Sequence, residues 1–480
     1  MPPSQSKNGN TQVVIIGAGV GGLSAGIALK RQLGLHAFKI LEQAEDIGGT
    51  WHDNTYPGCA SDIDTHWYSL STDLNPHWAS THVSQPELKE YWKQLASKYS
   101  LYDQLVLNRQ VTSVDWDNQQ QLYKITSQDS KSKKIFNDAA QIVICATGIL
   151  YVPFVPPELE SIKKFRGSAF HSARWDNTID LHNKRVAVVG NGCSATQLVP
   201  IIAKDPTTQV VNFCRTPHWY LRSRWGAFPE SVKWVFAHVP LAMPFGCRRF
   251  VIDSGYLSAL HQSNLDLNYD GIAEFTEGGI ISKKGKGELN AVVECTECVA
   301  PQARNPALSP YRPLTLADTQ DKFPLKVRGS EGITVQEYYD RKGGPEAYLG
   351  VTLPGFPNFF MIAGPNSATG HASVIFTEEV QINYIMQFVK PIVKQLASSF
   401  EITTRANDEF NSAIQKKLSK SIWSNCLSWY RFGHTGKIIT QWPGTMTEYW
   451  WNMRTPIWSH YKAFGHDEIR MWSQAFTPTS

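Results

Sequence analysis

Two short runs of small residues carry most of the chemistry that can be read along this chain. In VVIIGAGVGGLSAGIALK an apolar strand, Val13 to Ile16, runs directly into Gly17, Gly19 and Gly22 and an alanine-rich helix. RVAVVGNGCSATQLVPIIA repeats the arrangement with Gly190, Gly192, Ser194 and Ala195. A strand that turns on glycine into a helix aims backbone N–H groups and the positive end of the helix dipole at an anion. Gly17 permits the turn, Gly19 lets the backbone approach a pyrophosphate, and Gly22 lets the helix pack close to its strand.

The two copies differ in how the next strand ends. Glu42 closes AFKILE 25 residues after Gly17, and Arg215 closes QVVNFCR 25 residues after Gly190. A carboxylate accepts hydrogen bonds from ribose hydroxyls and repels a 2′-phosphate, whereas an arginine binds that phosphate bidentately. The first site therefore suits a nucleotide with a free ribose, FAD or NAD, and the second suits NADPH. Two such sites in one chain imply hydride transfer from nicotinamide to an acceptor, and FAD is the natural occupant of the first.

The elements needed to position these sites set the expected fold. QIVICATGIL (141–150) returns the chain to the first sheet, which resumes near GFPNFFMIAGPNS. The expectation is an α/β protein with two Rossmann-like dinucleotide-binding domains, the NADP domain inserted in the FAD domain. The FAD domain takes residues 1–150 and 341–480, its end including a C-terminal pocket-lining segment, and the NADP domain takes 151–340.

Two further runs bear on the reaction. GGTWHDNTYPGCASD, Gly48 to Asp62, resembles the long fingerprint of Baeyer–Villiger monooxygenases through Gly49, Trp51, Tyr56, Pro57, Gly58 and Asp62. FRGSAFHSARWDN resembles their second fingerprint through Phe165, Gly167, His171, Trp175 and Asp176. The resemblance implies an FAD- and NADPH-dependent monooxygenase that inserts one oxygen of O2 next to a ketone carbonyl, through a flavin peroxide. It places Arg249, from GCRRFVIDSGYL, as the guanidinium that stabilises the developing oxyanion. Asp62 pairs with Arg249 in this reading, and Arg248 reaches the NADP 2′-phosphate beside Arg215 and Thr216. Thr50, Trp51, Asp62, Tyr68 and Val111 contact the cofactors, Trp429 meets the nicotinamide ribose, and His171 and Trp175 couple the domains. GPNSATGHAS, ahead of a helix, resembles the turn that sets a helix N-terminus against the flavin ring.

Relative to that family the insertion at 219–246, expected to be helical, is shortened, and VVECTECV (292–299) stands where a second Ala-Thr-Gly-Phe strand end is expected. Cys295 and Cys298 form a CxxC, but Glu294 and Glu297 flank the thiols and raise their pKa, which disfavours a redox dithiol. Two alternatives stay open: the same cofactors acting on a heteroatom or alkene, or a flavoprotein that has lost oxygenation.

Composition fits this reading. Of 480 residues 42% are hydrophobic and 18% charged, with 46 basic against 42 acidic residues, so there is no nucleic-acid footprint. Eight scattered cysteines show no metal-ligand spacing and suggest reduced thiols in the cytosol, and the polar start lacks an apolar signal core. The Trp-rich end (Tyr449, Trp450, Trp451, Trp458, Trp472) is expected to pack as core rather than on a membrane. Aromatic residues at 12% and a reduced lid suit a bulky apolar ketone. Oligomeric state is not encoded in any of these features.

Overall fold

Val13 to Ile16 are four consecutive apolar residues, none more than 5% exposed. A run that is apolar on both faces belongs in the middle of a parallel sheet. The computed structural model describes residues 11–148, 152–153, 157–215, 220–222, 251–288, 291–294, 298–299, 325–368, 373–425, 431–432 and 436–465. In it β1 (Thr11–Ile16) leads into helix α1 (Val20–Leu33) and then β2 (Phe38–Leu41), which lies parallel to β1. After β3 (Leu105–Val106), beside β2, the chain runs as an antiparallel meander through β4 (Arg109–Asp117), β5 (Leu122–Asp129) and β6 (Ile135–Cys145). The last of these pairs parallel with the other edge of β1.

Five strands then form a second sheet: β7 (Ser168–His171), β8 (Arg185–Val189), β9 (Gln209–Phe213), β10 (Leu265–Asn268) and β11 (Ala291–Glu294). Their order is β10-β9-β8-β11-β7, parallel throughout, with helix α2 (Cys193–Ile202) following β8. The chain finally rejoins the first sheet through β12 (Lys326–Arg328) beside β4 and β13 (Phe359–Met361) beside β6. The first sheet thus has eight strands, in the order β12-β4-β5-β6-β1-β2-β3 with β13 paired to β6. The expected α/β architecture of two Rossmann-like folds, one inserted in the other, is the one observed, with an antiparallel meander built into the first sheet.

The chain divides into two compact units, Met1–Gly49 with Trp92–Ile149 and Ala300–Ser480, and Thr50–Tyr91 with Leu150–Val299. Two boundaries differ from the sequence expectation. Residues 50–91 group with the second sheet because their loop is hydrogen-bonded to α2, a long-range contact invisible in chain order. The first sheet is rejoined at Lys326 rather than beyond 341. The altered VVECTECV segment still supplies a full inner strand, since Val292 and Val293 in β11 are completely buried between β7 and β8. Of the shortened insertion only Tyr220–Arg222 is described, and it is a strand parallel to Val251–Asp253, not a helix.

Each unit has its own core. Val14, Tyr123, Phe356, Phe359 and Met361 belong to the first, and Phe165, Val189, Phe213, Phe275 and Val292 to the second. The fingerprint Phe165 is therefore a core residue of the second unit. The expectation for the Trp-rich end needs correction. In the helix at 446–453, Tyr449 and Met453 are buried one turn apart, which turns Trp450 and Trp451 outward at 44% and 55% exposure. Trp458 does pack inward, its ring 5.2 Å from that of Phe388. No helix among the described residues is long and apolar enough to cross a membrane.

Helices α3 (Val335–Arg341), α4 (Val374–Val393), α5 (Thr404–Leu418) and α6 (Met446–Met453) complete the first unit. In α4, Glu378 is buried against the first turn of α1, where a Cβ on Gly21 would lie 3.4 Å from its carboxyl. Its Oε2 has no hydrogen-bond partner among the described residues. Burial, aided by the charge of Glu379, pushes this carboxyl up to about 8 from an ordinary 4.5. The folded chain keeps a proton that the unfolded chain releases, so this group costs stability as pH rises from about 4.5 through about 8. Thermal melts of Glu378→Gln should therefore show a gain in Tm over wild type that grows across this window. A gain independent of pH would show that Glu378 does not titrate there.

Candidate cofactor-binding and oxygenation site

The first glycine turn is built by close approach. Gly17 sits at φ +102°, and a Cβ on Gly22 would come within 1.9 Å of the Gly17 carbonyl oxygen, so α1 leaves the turn with no room for a side chain. Gly17 N–H donates to Leu41 O at 2.8 Å, tying the turn to the end of β2. Glu42, one residue on and 7% exposed, does more than terminate that strand. Its Oε2 accepts from Ala18 N–H at 2.7 Å and its Oε1 from Ala44 N–H at 2.8 Å. The carboxylate thus holds the turn while keeping lone pairs for ribose hydroxyls. Gly49 packs its backbone on Gly19, so the first fingerprint begins against this turn.

The second turn repeats the design. Ile16 registers with Leu41 in the first sheet and Val189 with Phe213 in the second. Gly190 N–H donates to Phe213 O at 2.9 Å, as Gly17 does to Leu41. In place of Glu42, the buried Asn212 clamps this turn, its Nδ2 donating to Val188 O at 3.0 Å and Gly190 O at 2.7 Å. Tyr256 O–H donates to Asn212 Oδ1 at 2.5 Å and fixes the amide. Gly192 is the N-cap of α2, Ser194 is half-buried and Ala195 is fully buried. Arg215 stands exposed two residues past β9, at the end of the sheet where the Gly190 turn lies.

The helix N-termini show what these turns are for. Thr334, Ser373, Thr403 and Thr445 cap α3, α4, α5 and α6 with side-chain oxygens. By contrast α1 and α2 begin on Gly19 and Gly192, with no capping side chain and no acid in the first turn. Their first N–H groups are left for a ligand, and the positive helix end favours a diphosphate. The donor set fits a dinucleotide at each turn.

The fingerprints fold together within the second unit. Tyr56 O–H donates to Gln197 Oε1 at 2.8 Å, and Gln197 Nε2 donates to Ala60 O at 3.0 Å, which pins the first fingerprint to α2. Gly58, at φ +82°, lies so close that a Cβ would meet Gln197 O at 2.5 Å. Arg174 Nη1 reaches Asp53 Oδ2 at 3.3 Å, joining the second fingerprint to the first. Burial pushes the Asp53 carboxyl up, and the Arg174 guanidinium opposes the shift. His171 is buried, its Nδ1 accepting from Ala173 N–H at 3.0 Å, and Trp175 packs edge-on against Phe170 at 5.2 Å. These contacts are local to the second fingerprint. Trp51 and Tyr68 meet edge to face at 5.4 Å, while Thr50 starts the single helical turn 50–53 and is exposed. Val111 is in β4, its side chain in the first core.

Comparison with known proteins agrees with this geometry. Residues 10–234 match the flavin-binding monooxygenase-like family. A Baeyer–Villiger monooxygenase of Pseudomonas aeruginosa is 31% identical, over 92% of this chain and 89% of its own.

The chain belongs to the Baeyer–Villiger monooxygenase family.

An FAD-binding monooxygenase of Aspergillus niger is 30% identical over 94% of this chain and 81% of its own. The structure of cyclohexanone monooxygenase from Rhodococcus sp. Phi1 bound to NADP+ superposes with a TM-score of 0.80 at 20% identity, covering 95% of this chain and 99% of that one. At that identity the match speaks to the fold alone.

Several residues that the family resemblance singles out lie outside the described residues: Thr216, Arg248, Arg249 and Trp429, with most of 219–246, residues 369–372 of GPNSATGHAS, Cys295, Glu297 and Trp472. Sequence reasoning did not single out Asn212 or Gln197. The available signal was a polar residue inside an apolar run, Asn212 in QVVNF and Gln197 in ATQLVPII. Gly58→Ala should lower stability by about 1–3 kcal/mol in a denaturant melt, because both the positive φ and the Gln197 carbonyl oppose a methyl group. An unchanged midpoint would mean that the fingerprint is not seated on α2 in solution.

Proposed function

We propose that this chain is an FAD- and NADPH-dependent monooxygenase that inserts one oxygen atom next to a ketone carbonyl, giving an ester or lactone. The carrying observation is the pair of uncapped helices α1 and α2, with the family's first fingerprint joined to α2 and its second fingerprint joined to the first. In this reading the first unit is the FAD domain, held through Gly17, Gly19, Gly22 and Glu42. The second is the NADP domain, held through Gly190, Gly192, Ser194, Ala195 and Arg215, with Thr216 and Arg248 beside it. Thr50, Trp51, Tyr68, Val111 and Trp429 complete the cofactor contacts. When bound, FAD supplies the two-electron store at which O2 is activated, and NADPH supplies the hydride.

The chain's own contribution is position and charge. Glu42 orients the adenosine ribose, and Arg215 selects the 2′-phosphate. Arg249 stabilises negative charge that develops on the substrate's carbonyl oxygen as the new C–O bond forms. A guanidinium keeps its charge at any working pH, and one well-aimed donor of this kind lowers the barrier by about 3–4 kcal/mol. Asp62 holds Arg249 in position, and His171 and Trp175 hold the linker. A bulky apolar ketone is the substrate class that the aromatic composition suits.

Arg249→Ala should retain FAD and its reduction by NADPH but lose oxygenated product by about 100-fold or more. Oxygenation near the wild-type rate would remove Arg249 from this role, and product from a sulfide but not a ketone would favour heteroatom oxidation. Arg215→Ala should raise the Kd for NADPH but not for NADH, measured by titration of the FAD-loaded protein; equal losses would remove the 2′-phosphate assignment.

A further inference from the structure

Where α1 and α4 meet, one acid has no part in the packing. Gln32 Nε2, at the end of α1, donates to Asn383 Oδ1 at 2.7 Å, and at the start of α1 Gly21 lies against Glu378. A Cβ on Gly21 would come within 2.9 Å of Ile362 Cγ2 and 3.4 Å of Glu378 Oε2, so the glycine leaves room that the isoleucine and the carboxyl fill. Gly21 is the second residue of α1, inside the turn whose N–H groups no side chain caps. Glu378 therefore brings its carboxyl to the first turn of the helix that is open to a ligand.

Its buried polar neighbours on α4 are paired within the chain. Thr377 Oγ1 donates to Ser373 O at 3.3 Å. Gln381, one turn beyond Glu378, accepts from Ala363 N–H at 2.7 Å through Oε1 and donates to Gly350 O at 3.4 Å through Nε2. Glu378 is only 8% exposed, yet its Oε2 has no hydrogen-bond partner among the described residues, the open N–H groups of α1 included. An acid left in this way costs stability, and an apolar residue of its size would serve the packing better. Burial keeps it protonated up to about 8, and Glu379, the one charge among the described residues that acts on it, adds to the effect. Gly21 and Ile362, which face it from α1 and from the end of β13, do not titrate. At neutral pH Glu378 is thus an O–H donor without an acceptor, beside a turn suited to an anion.

We propose that Glu378 is a cofactor-binding residue: as the neutral acid it donates a hydrogen bond to an acceptor oxygen in the ribityl-diphosphate chain of FAD. The inference rests on the reading of the first unit as the FAD domain. The neutral acid adds a donor to those of the α1 turn, whereas the carboxylate sets a further negative charge beside the diphosphate. Bound FAD therefore holds the proton to a higher pH than the free protein does. Above about 8 binding takes up a proton, and affinity falls as pH rises.

Release of FAD from the loaded full-length protein tests this, read by the fluorescence of freed flavin on dilution, from about pH 7 to about pH 9. The wild-type Kd for FAD should rise about tenfold across that range, because the free acid ionises near 8. Glu378→Gln keeps a neutral donor that does not titrate, so its Kd should stay level. Glu378→Leu keeps the bulk without the donor; its profile should also be level, but at about pH 7 it should bind FAD about tenfold more weakly than wild type. A level wild-type profile overturns the proposal, as does a rise retained in Glu378→Gln. Binding by Glu378→Leu as tight as wild type at about pH 7 removes the hydrogen bond and overturns it too. In each of these cases the FAD domain stands. If the protein holds no FAD at any pH, the reading of the first unit is what fails, and this inference falls with it.

Discussion

A helix that is to hold a diphosphate must leave its first N–H groups without protein partners, and the rest of this structure follows from that requirement. An uncapped helix start is less stable by about 1 kcal/mol, and an open glycine turn adds a further entropic cost. The chain offsets this from outside the helix. Glu42 holds the first turn through Ala18, and Asn212 holds the second through Val188 and Gly190. Both clamps sit on or directly after the strand beside the turn. Helices α3, α4, α5 and α6 of the first unit keep their threonine or serine caps.

The same logic accounts for the long fingerprint. Gly49 lies backbone to backbone with Gly19 of the first turn, and nine residues on, Gly58 lies against α2, the helix of the second. Each glycine is required because a carbonyl or a Cα occupies the volume of a side chain. Tyr56 and Gln197 then fix the loop by paired hydrogen bonds. A segment built this way has little freedom in sequence, which is the physical reason such a run identifies a family better than a glycine turn does. The second fingerprint is tied to it through Arg174 and Asp53, with Phe165 anchored in the core of the second sheet.

Buried ionisable groups follow one rule in both units. Glu378 has its carboxyl against α1, without a partner among the described residues, and the low dielectric there keeps it protonated. His66 is kept neutral by the same effect acting on a base, and burial lowers the His82 imidazole as well. Glu378 and His66 lower the charge that the interior must carry near neutral pH.

Much of this protein is legible in one dimension. Strand-turn-helix patterning fixes two nucleotide folds, because the glycines answer to local geometry. The equal offsets from Gly17 to Glu42 and from Gly190 to Arg215 bring an acid and a base to the ends of the neighbouring strands, although Glu42 directly follows its strand and Arg215 stands two residues past its own. The fingerprints point to the family for the packing reason given above. What the chain order hides is contact between residues far apart in it. That Thr50–Tyr91 folds with the second sheet depends on Gln197, about 140 positions away. That Glu42 clamps a turn as well as terminating a strand, that Asn212 does the same for the second turn, and that Trp450 and Trp451 face outward while Tyr449 does not, all depend on which neighbours folding supplies. The antiparallel pairing of residues 59–65 with 81–85 is of the same kind: its register is decided by hydrogen bonds between segments, and no local pattern encodes them.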